Sequence, residues 1–298
     1  MASEAIAVAN RSDRAPDLPV STTLAADVAR QIRLSVAVSR TPSVISAIRR
    51  TMSRHGIGSA RSFRALLAVD DALADELIDE ATVRETHFFR SPAQLELLRH
   101  TILPQFSGRA PDAPARIWSV GCASGEEPYS IAILCKELGL PARIVASDIS
   151  RKALAEAAEA HYGEWSLRNI SECLKRRYFL GEGSGFRLRP ELTRGVSFTK
   201  VSLGFDRLPA PERSLADFDL IVCRNVLVYL KTIDVSRVAG ELFACLAEGG
   251  WLLTAATDPP LSKHAPFETA ITCGGIAYRK TTHLSADRDP PRLNGPNR

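Results

Sequence analysis

At about residue 116 the texture of the chain changes, and the change leaves few folds open. From there short apolar runs alternate with stretches of helical period. The candidate strands are Arg116–Val120, Arg143–Ser147, Val196–Lys200, Asp219–Cys223 and Trp251–Ala255. Helical stretches lie between them at Tyr129–Leu138, Lys152–Ala160 and Val235–Leu246. A strand, a helix and a second strand return to one sheet as parallel neighbours, so this order predicts an α/β domain with a mostly parallel sheet over residues 116–283. Residues 174–197 interrupt the pattern. Tyr178-Phe179-Leu180, Gly181-Glu182-Gly183-Ser184-Gly185 and Phe186-Arg187-Leu188-Arg189 read there as strand, turn and strand, a small antiparallel insertion.

Upstream, residues 21–104 read as an all-helical domain. Val44, Ile45, Ala47 and Ile48 recur at helical spacing, as do Leu66, Leu67, Leu73, Leu77 and Ile78. Ser91-Pro92-Ala93-Gln94 looks like a helix start, with Ser as cap, Pro in the first turn and Gln completing a capping box. Residues 105–115 are linker-like, and the aperiodic tails at 1–20 and 284–298 are expected to be disordered. Two domains suit 298 residues, a length at which single cores stop growing. No apolar run is long enough to span a bilayer, and the polar first residues do not form a signal peptide. The six cysteines are scattered without zinc spacing, which points to reduced thiols, a cytoplasmic location and no metal centre.

The first strand of the α/β domain runs into Gly121-Cys122-Ala123-Ser124-Gly125, and Glu126-Glu127-Pro128 opens the next helix. Glycine lets backbone turn sharply and approach a ligand closely. In a dinucleotide fold a pyrophosphate sits against this helix N-terminus. Two carboxylates there would repel it, and the third fingerprint glycine is missing. A ligand with cationic groups, such as the ammonium and sulfonium of S-adenosylmethionine (SAM), suits the position better. The plainer alternative is that Glu126 and Glu127 complement the helix dipole. Asp148 ends the second strand, 23 residues after Gly125, where an acid can accept from both ribose hydroxyls of an adenosyl group. As a cap for the next helix, Ser150 is better placed than Asp148. Together these features favour SAM over NAD.

Four motifs then stand in order: Thr86-His87-Phe88-Phe89-Arg90; Ser119 through Ser130; Ala146-Ser147-Asp148-Ile149; and Phe218-Asp219-Leu220-Ile221-Val222-Cys223-Arg224-Asn225-Val226-Leu227-Val228-Tyr229. From about residue 40 to 282 the chain resembles CheR-type chemotaxis receptor methyltransferases. The resemblance implies a helical N-terminal domain, a Rossmann-like SAM domain with a small β-subdomain, and methyl transfer to glutamate carboxylates of chemoreceptors. It places Arg90 and Tyr229 beside the transferred methyl. It places Thr86, Arg90, Gly121, Glu127, Asp148, Ser202, Leu203, Arg224 and Asn225 along the SAM pocket. Phe88 and Phe89 read as packing. The chain departs from the family pattern at Arg84 and Ser202, where Asn is usual, and at Ala255 to Pro260, where a His-Ser-Glu is usual. The short turn at Gly181–Gly185 argues against capture of a receptor C-terminal peptide by strand addition.

Net charge is only +4, but it is unevenly spread. Residues 21–66 hold eight arginines (30, 33, 40, 49, 50, 54, 61 and 64) and one acid, Asp27, whereas residues 67–80 hold six acids. The alternatives are a docking face for an acidic helical partner, which a chemoreceptor methylation segment would be, or a solvated surface whose halves offset each other. Without interleaved aromatics or lysines, nucleic acid is not the expected partner. A monomer without membrane insertion is expected. The sequence leaves two other functions open: a same-fold methyltransferase with a different acceptor, and a non-catalytic module binding SAM or S-adenosylhomocysteine.

Overall fold

The computed structural model describes residues 20–281 except Cys273. Both tails expected to be disordered lie outside the described residues, apart from Val20, which is buried in the helical core. That core is built by α1 (Thr22–Gln31), α2 (Thr41–Arg54), α3 (Ala60–Leu67) and α4 (Asp71–Ala81). Three of them, α1, α3 and α4, start at Ser21, Ser59 and Asp70, whose side chains accept from backbone N–H groups three residues on. Val28, Val44, Ile48, Phe63, Leu77 and Ile78 close the core, and its last member is Ile78.

The next helix, α5 (Pro92–Leu97), does not belong to that core. Leu95, Leu97, Leu98, Ile102, Leu103 and Phe106 pack instead with Ile117, Ile133, Leu220 and Leu253 of the α/β domain. The expected domain boundary at 104 is therefore displaced to the stretch between Ala81 and Phe88. Helical spacing marks which face is apolar but not which core that face meets. The expected linker is likewise tethered, because Phe106 is buried and Arg109 forms a two-pronged pair with Asp219 at 2.6 and 2.9 Å.

The α/β domain continues with β1 (Ala115–Val120), α6 (Glu126–Glu137), β2 (Ala142–Asp148), α7 (Arg151–Glu159), β3 (His161–Tyr162), α8 (Glu172–Tyr178), β4 (Phe179–Glu182), β5 (Gly185–Leu188), α9 (Pro190–Thr193) and β6 (Val196–Lys200). It ends with β7 (Phe218–Cys223), α10 (Thr232–Cys245), β8 (Leu246–Thr254), β9 (Glu268–Thr272) and β10 (Gly275–Arg279). Seven strands form the main sheet in the order β6-β2-β1-β7-β8-β10-β9. The five from β6 to β8 are parallel, and the β9–β10 hairpin adds two antiparallel strands at one edge. Alternation assigns the faces as the strand period requires. Ile117, Leu220 and Val222 face α5 and α6, while Trp118, Ile221 and Leu252 face α10.

The sequence expectation of a small antiparallel sheet holds, with altered limits. Its order is β3-β5-β4, so it recruits His161–Tyr162, whereas Val196 and Ser197 belong to the main sheet. The chain leaves β1 toward β2 and β6 on one side and later returns to β7 on the other. In open parallel sheets the crevice at such a reversal, beyond the carboxyl ends of the strands, is where ligands bind.

Candidate active site

The expected site residues of the α/β domain come from the carboxyl ends of its strands or the loops just beyond them. Gly121 follows β1, Asp148 ends β2, Ser202 and Leu203 follow β6, and Arg224 and Asn225 follow β7. Four non-glycine residues hold positive φ around this crevice: Phe89, Ser91, Ala123 and Asn225. Backbone strain of this kind persists where surrounding structure over-determines it. Gly121 has φ +69°, and a Cβ there would stand 2.4 Å from Val226 Cγ2, so the loops after β1 and β7 touch across the crevice floor.

Two adjoining clefts share Val83, Gly121, Ala123, Asn225 and Tyr229. The larger, ≈ 990 Å³ and open to solvent, lies between the two cores. Leu34, Val36, Arg40 and Val44 wall it from the helical domain, and Asp148, Ile149, Leu203 and Val226 from the α/β domain. Asp148 accepts from Ala123 N (2.9 Å, Oδ2) and Ser150 N (2.9 Å, Oδ1). Burial pushes its carboxyl above the ordinary 3.8, opposed by the backbone donors of Ser150, Ala123 and Ile149 and by Arg84. Ser150 caps α7 by accepting from Ala153 N, as expected. Arg84 pairs with Glu156 at 3.0 Å and lines this cleft. Ser202 is buried, and its hydroxyl donates to the Arg33 carbonyl, so this group ties the two domains together.

The smaller cleft, ≈ 550 Å³, is lined by Thr86, His87, Arg90, Glu127, Arg224, Asn225 and Tyr229. The aromatic segment before Arg90 is anchored by Phe88, fully buried and edge-on to Tyr162 (4.8 Å) and Phe179 (5.1 Å). Burying a phenylalanine is worth about 1.5–3 kcal/mol. Arg90 donates from Nη1 to the Glu85 carbonyl at 2.8 Å and has no carboxylate partner among the described residues. The Tyr229 hydroxyl makes no hydrogen bond among the described residues. Its ring is covered by Arg40 at 4.6 Å, and its carbonyl accepts from Ala37 N at 2.7 Å.

The two glutamates at the start of α6 have different fates. Glu127 accepts from Ser119 Oγ (2.7 Å) and pairs with Arg224 Nε (2.7 Å), both partners nearly buried. It therefore enters the cleft as a neutralised pair. Glu126 is buried, accepts from the Ser124 and Ser166 hydroxyls, and is held above the ordinary carboxylate range by burial. Arg224 also donates to the Arg90 carbonyl (2.9 Å) and to Gln94 Oε1 (3.2 Å), while Gln94 Nε2 donates to the Thr254 carbonyl (2.7 Å). The expected capping box is thus not formed: Ser91 is left-handed, its side chain caps nothing, and Gln94 serves the active-site arginine instead.

Asp258 is a site residue that sequence reasoning missed. It accepts from Asn225 N (2.7 Å), Val228 N (3.1 Å) and Ala255 N (2.9 Å), and so braces the loop carrying Asn225 and Tyr229. An acid just beyond the last parallel strand was the available signal.

A family model described as CheR methyltransferase, SAM binding domain, matches residues 84–269. The chain belongs to the CheR methyltransferase family. The match begins where the core contacts place the domain boundary. The chain is 30% identical over 248 residues to chemotaxis protein methyltransferase Cher2 of Pseudomonas putida, covering 79% of this chain and 88% of that protein. It is 34% identical to a chemotaxis protein methyltransferase of Borreliella burgdorferi, covering 60% of this chain and 65% of that protein. With chemotaxis protein methyltransferase 2 of Vibrio cholerae the identity is 32%, over 68% and 74% of the two chains.

The cofactor of this CheR-family methyltransferase is S-adenosylmethionine, and the residues fit it. The larger cleft pairs apolar walls at Ile149, Leu203 and Val226 with one carboxylate, Asp148. Apolar walls suit a flat heteroaromatic ring, and the acid suits vicinal hydroxyls. The adjoining cleft offers the acceptors and donors needed at the other end of such a molecule. No helix of the described residues is long and apolar enough to cross a membrane.

Proposed function

We propose that this methyltransferase esterifies glutamate side chains of a chemoreceptor cytoplasmic region. The observation carrying this reading is Arg90: a guanidinium that, among the described residues, has no carboxylate partner, in one small cleft with a Tyr229 hydroxyl that makes no hydrogen bond to them, and beside the cofactor cleft. A carboxylate acceptor is already ionised at pH 7 and needs no general base. It needs orientation and relief from repulsion. Arg90 presents a fork that matches a carboxylate, and Arg224 cancels the nearby Glu127 charge. Tyr229 can donate to the second acceptor oxygen. Cys122, in the same cleft, is buried, and burial pushes its thiol well up, away from the thiolate form.

S-adenosylmethionine supplies an activated methyl and leaves as S-adenosylhomocysteine. Asp148 would hold the ribose, with Leu203 and Ile149 flanking the adenine. Thr86, Glu127, Arg224 and Asn225 would line the amino-acid end, with Gly121 allowing close approach. Ser202 contributes through its tie to Arg33.

Methyl-labelled SAM and receptor should yield label released as methanol by mild base, the signature of a carboxyl ester. Label that resists base would exclude ester formation and point to another acceptor group. Arg90→Ala should abolish transfer while SAM affinity in calorimetry stays near wild type. An unchanged transfer rate would remove Arg90 from its assigned role.

A further inference from the structure

The arginine-rich face of the helical domain holds less free charge than its count suggests. Arg50 and Arg54 pair with Glu80 and Glu76 of α4, Arg33 with Asp206, and Arg30 and Arg64 with Asp27. Sequence separates Arg50 and Arg54 from Glu76 and Glu80, but α2 and α4 pack side by side and bring them together. For those residues the solvated, mutually offset surface is what the fold contains.

Three arginines without a carboxylate partner among the described residues, Arg40, Arg90 and Arg168, stand at the mouth of the transfer cleft. Arg90 lines it, Arg40 covers the Tyr229 ring, and Arg168 donates to His87 Nδ1 at 2.6 Å, His87 being a lining residue. The acids at this mouth are few: Glu127 is paired with Arg224, Glu164 beside Trp165 is paired with Lys175 at 2.9 Å, and Glu85 is exposed. Beside Arg168 stands Trp165, 72% exposed, whereas Trp118 and Trp251 are buried. The Arg168 guanidinium lies 4.2 Å over the Trp165 ring, and its Nη1 donates to the Trp165 carbonyl at 2.7 Å. The loop is fixed at its next residue: Ser166 accepts from Phe88 N at 2.9 Å and donates from its hydroxyl to Glu126 at 2.9 Å. Trp and Arg are among the residue types most enriched at binding hot spots, and here a cation–π contact holds the two together at the surface.

We infer that the loop at 163–170 is a docking rim for the acceptor protein. Trp165 packs against the apolar stems of a glutamate-rich segment, and Arg168, with Arg40 and Arg90 around the mouth, faces its carboxylates. The inference rests on the reading of the cleft as a glutamate methylation site and adds a surface to it.

The test uses the full chain and a synthetic helical peptide carrying glutamate pairs, against the same peptide with glutamine in their place. Acrylamide quenching of tryptophan fluorescence reports mainly Trp165, because the other two tryptophans are buried. The glutamate peptide should protect Trp165, and the glutamine peptide should not. Trp165→Ala should weaken peptide binding about tenfold or more, Trp165→Phe clearly less, with SAM affinity unmoved in both. Wild-type peptide affinity in Trp165→Ala, or unprotected fluorescence at saturating glutamate peptide, would overturn the docking rim. Equal protection by both peptides would overturn its charge selectivity. Protection of Trp165 without ester formation would leave the rim standing and refute the methylation reading. Ester formation with the same acceptor KM in wild type and Trp165→Ala would do the reverse.

Discussion

Replacing Asp148 by Asn tests the cofactor cleft directly, because it keeps the shape and removes the charge. In the fold the two carboxylate oxygens serve different backbone donors, Ala123 N and Ser150 N, each at 2.9 Å. The amide has one carbonyl oxygen, so one of these N–H groups must face an NH₂. Leaving one such donor unpaired costs about 1–3 kcal/mol, and about 2–4 °C of melting temperature follows each kcal/mol in a chain of this size. Toward the ribose, loss of one hydrogen bond to a charged acceptor removes about 1.5–3 kcal/mol, or about 10- to 150-fold in Kd. Calorimetric melting of the free protein and titration with SAM and S-adenosylhomocysteine read the two effects separately. A variant that melts lower yet binds both ligands within about twofold of wild type would make Asp148 a structural brace and refute its cofactor role. The pH dependence adds a second check. Burial raises the folded pKa of Asp148 above 3.8, so its contribution favours the fold below that value and is lost as pH rises through the folded pKa. Asp148→Asn removes this share of the slope, while Glu126 and Asp258, also raised by burial, keep theirs.

Glu127→Gln should lower stability by about 3–5 kcal/mol, because it strands the buried Arg224 charge; in urea denaturation the Glu127→Gln/Arg224→Gln double variant should lose less than the two single losses combined. Asp258→Asn should slow methyl transfer more than it weakens SAM binding, since it loosens the Asn225–Tyr229 loop; equal effects on both in parallel kinetic and calorimetric measurements would contradict that. His87 is held below its ordinary 6.5, first by burial and then by Arg168 and Arg90, so its contribution is present above 6.5 and lost as pH falls through the folded value. His87→Gln should therefore flatten the acid side of the melting-temperature profile, and an unchanged profile would show that His87 is not held low in the fold.

Features set by neighbours in the chain could be read from sequence. The five parallel strands lie within a few residues of their expected places because strand period and helix period differ within each segment. Gly121 and Asp148 stood out because turn chemistry and strand ends are local. Features set by distant partners could not be read. The apolar face of α5 looks the same whichever core it meets. Gln94 fits a capping box by spacing but is drawn to Arg224 and Thr254, which are more than a hundred residues away in the chain. The pairing of Arg50 and Arg54 with α4 acids depends on helix packing. Asp258 offered only its place just beyond the last parallel strand, because its partners in the fold are backbone N–H groups, which carry no sequence signature. The β9–β10 hairpin, with Ile271 and Ile276 exposed, lacks the clean alternation that marks a half-buried strand.

The larger cleft takes one wall from each of two cores, joined over its edge by Ser202 to Arg33, Ala37 to Tyr229 and Ser35 to Asp234. A ligand seated there is in effect an extra joint between the two units. Its binding energy then opposes their separation as well as local unfolding, and the melting temperature should rise as ligand concentration climbs above Kd. Substrate and product differ by one methyl and the positive charge of the sulfonium, yet both would span the same gap, so each turnover would leave the two halves bridged until the product departs.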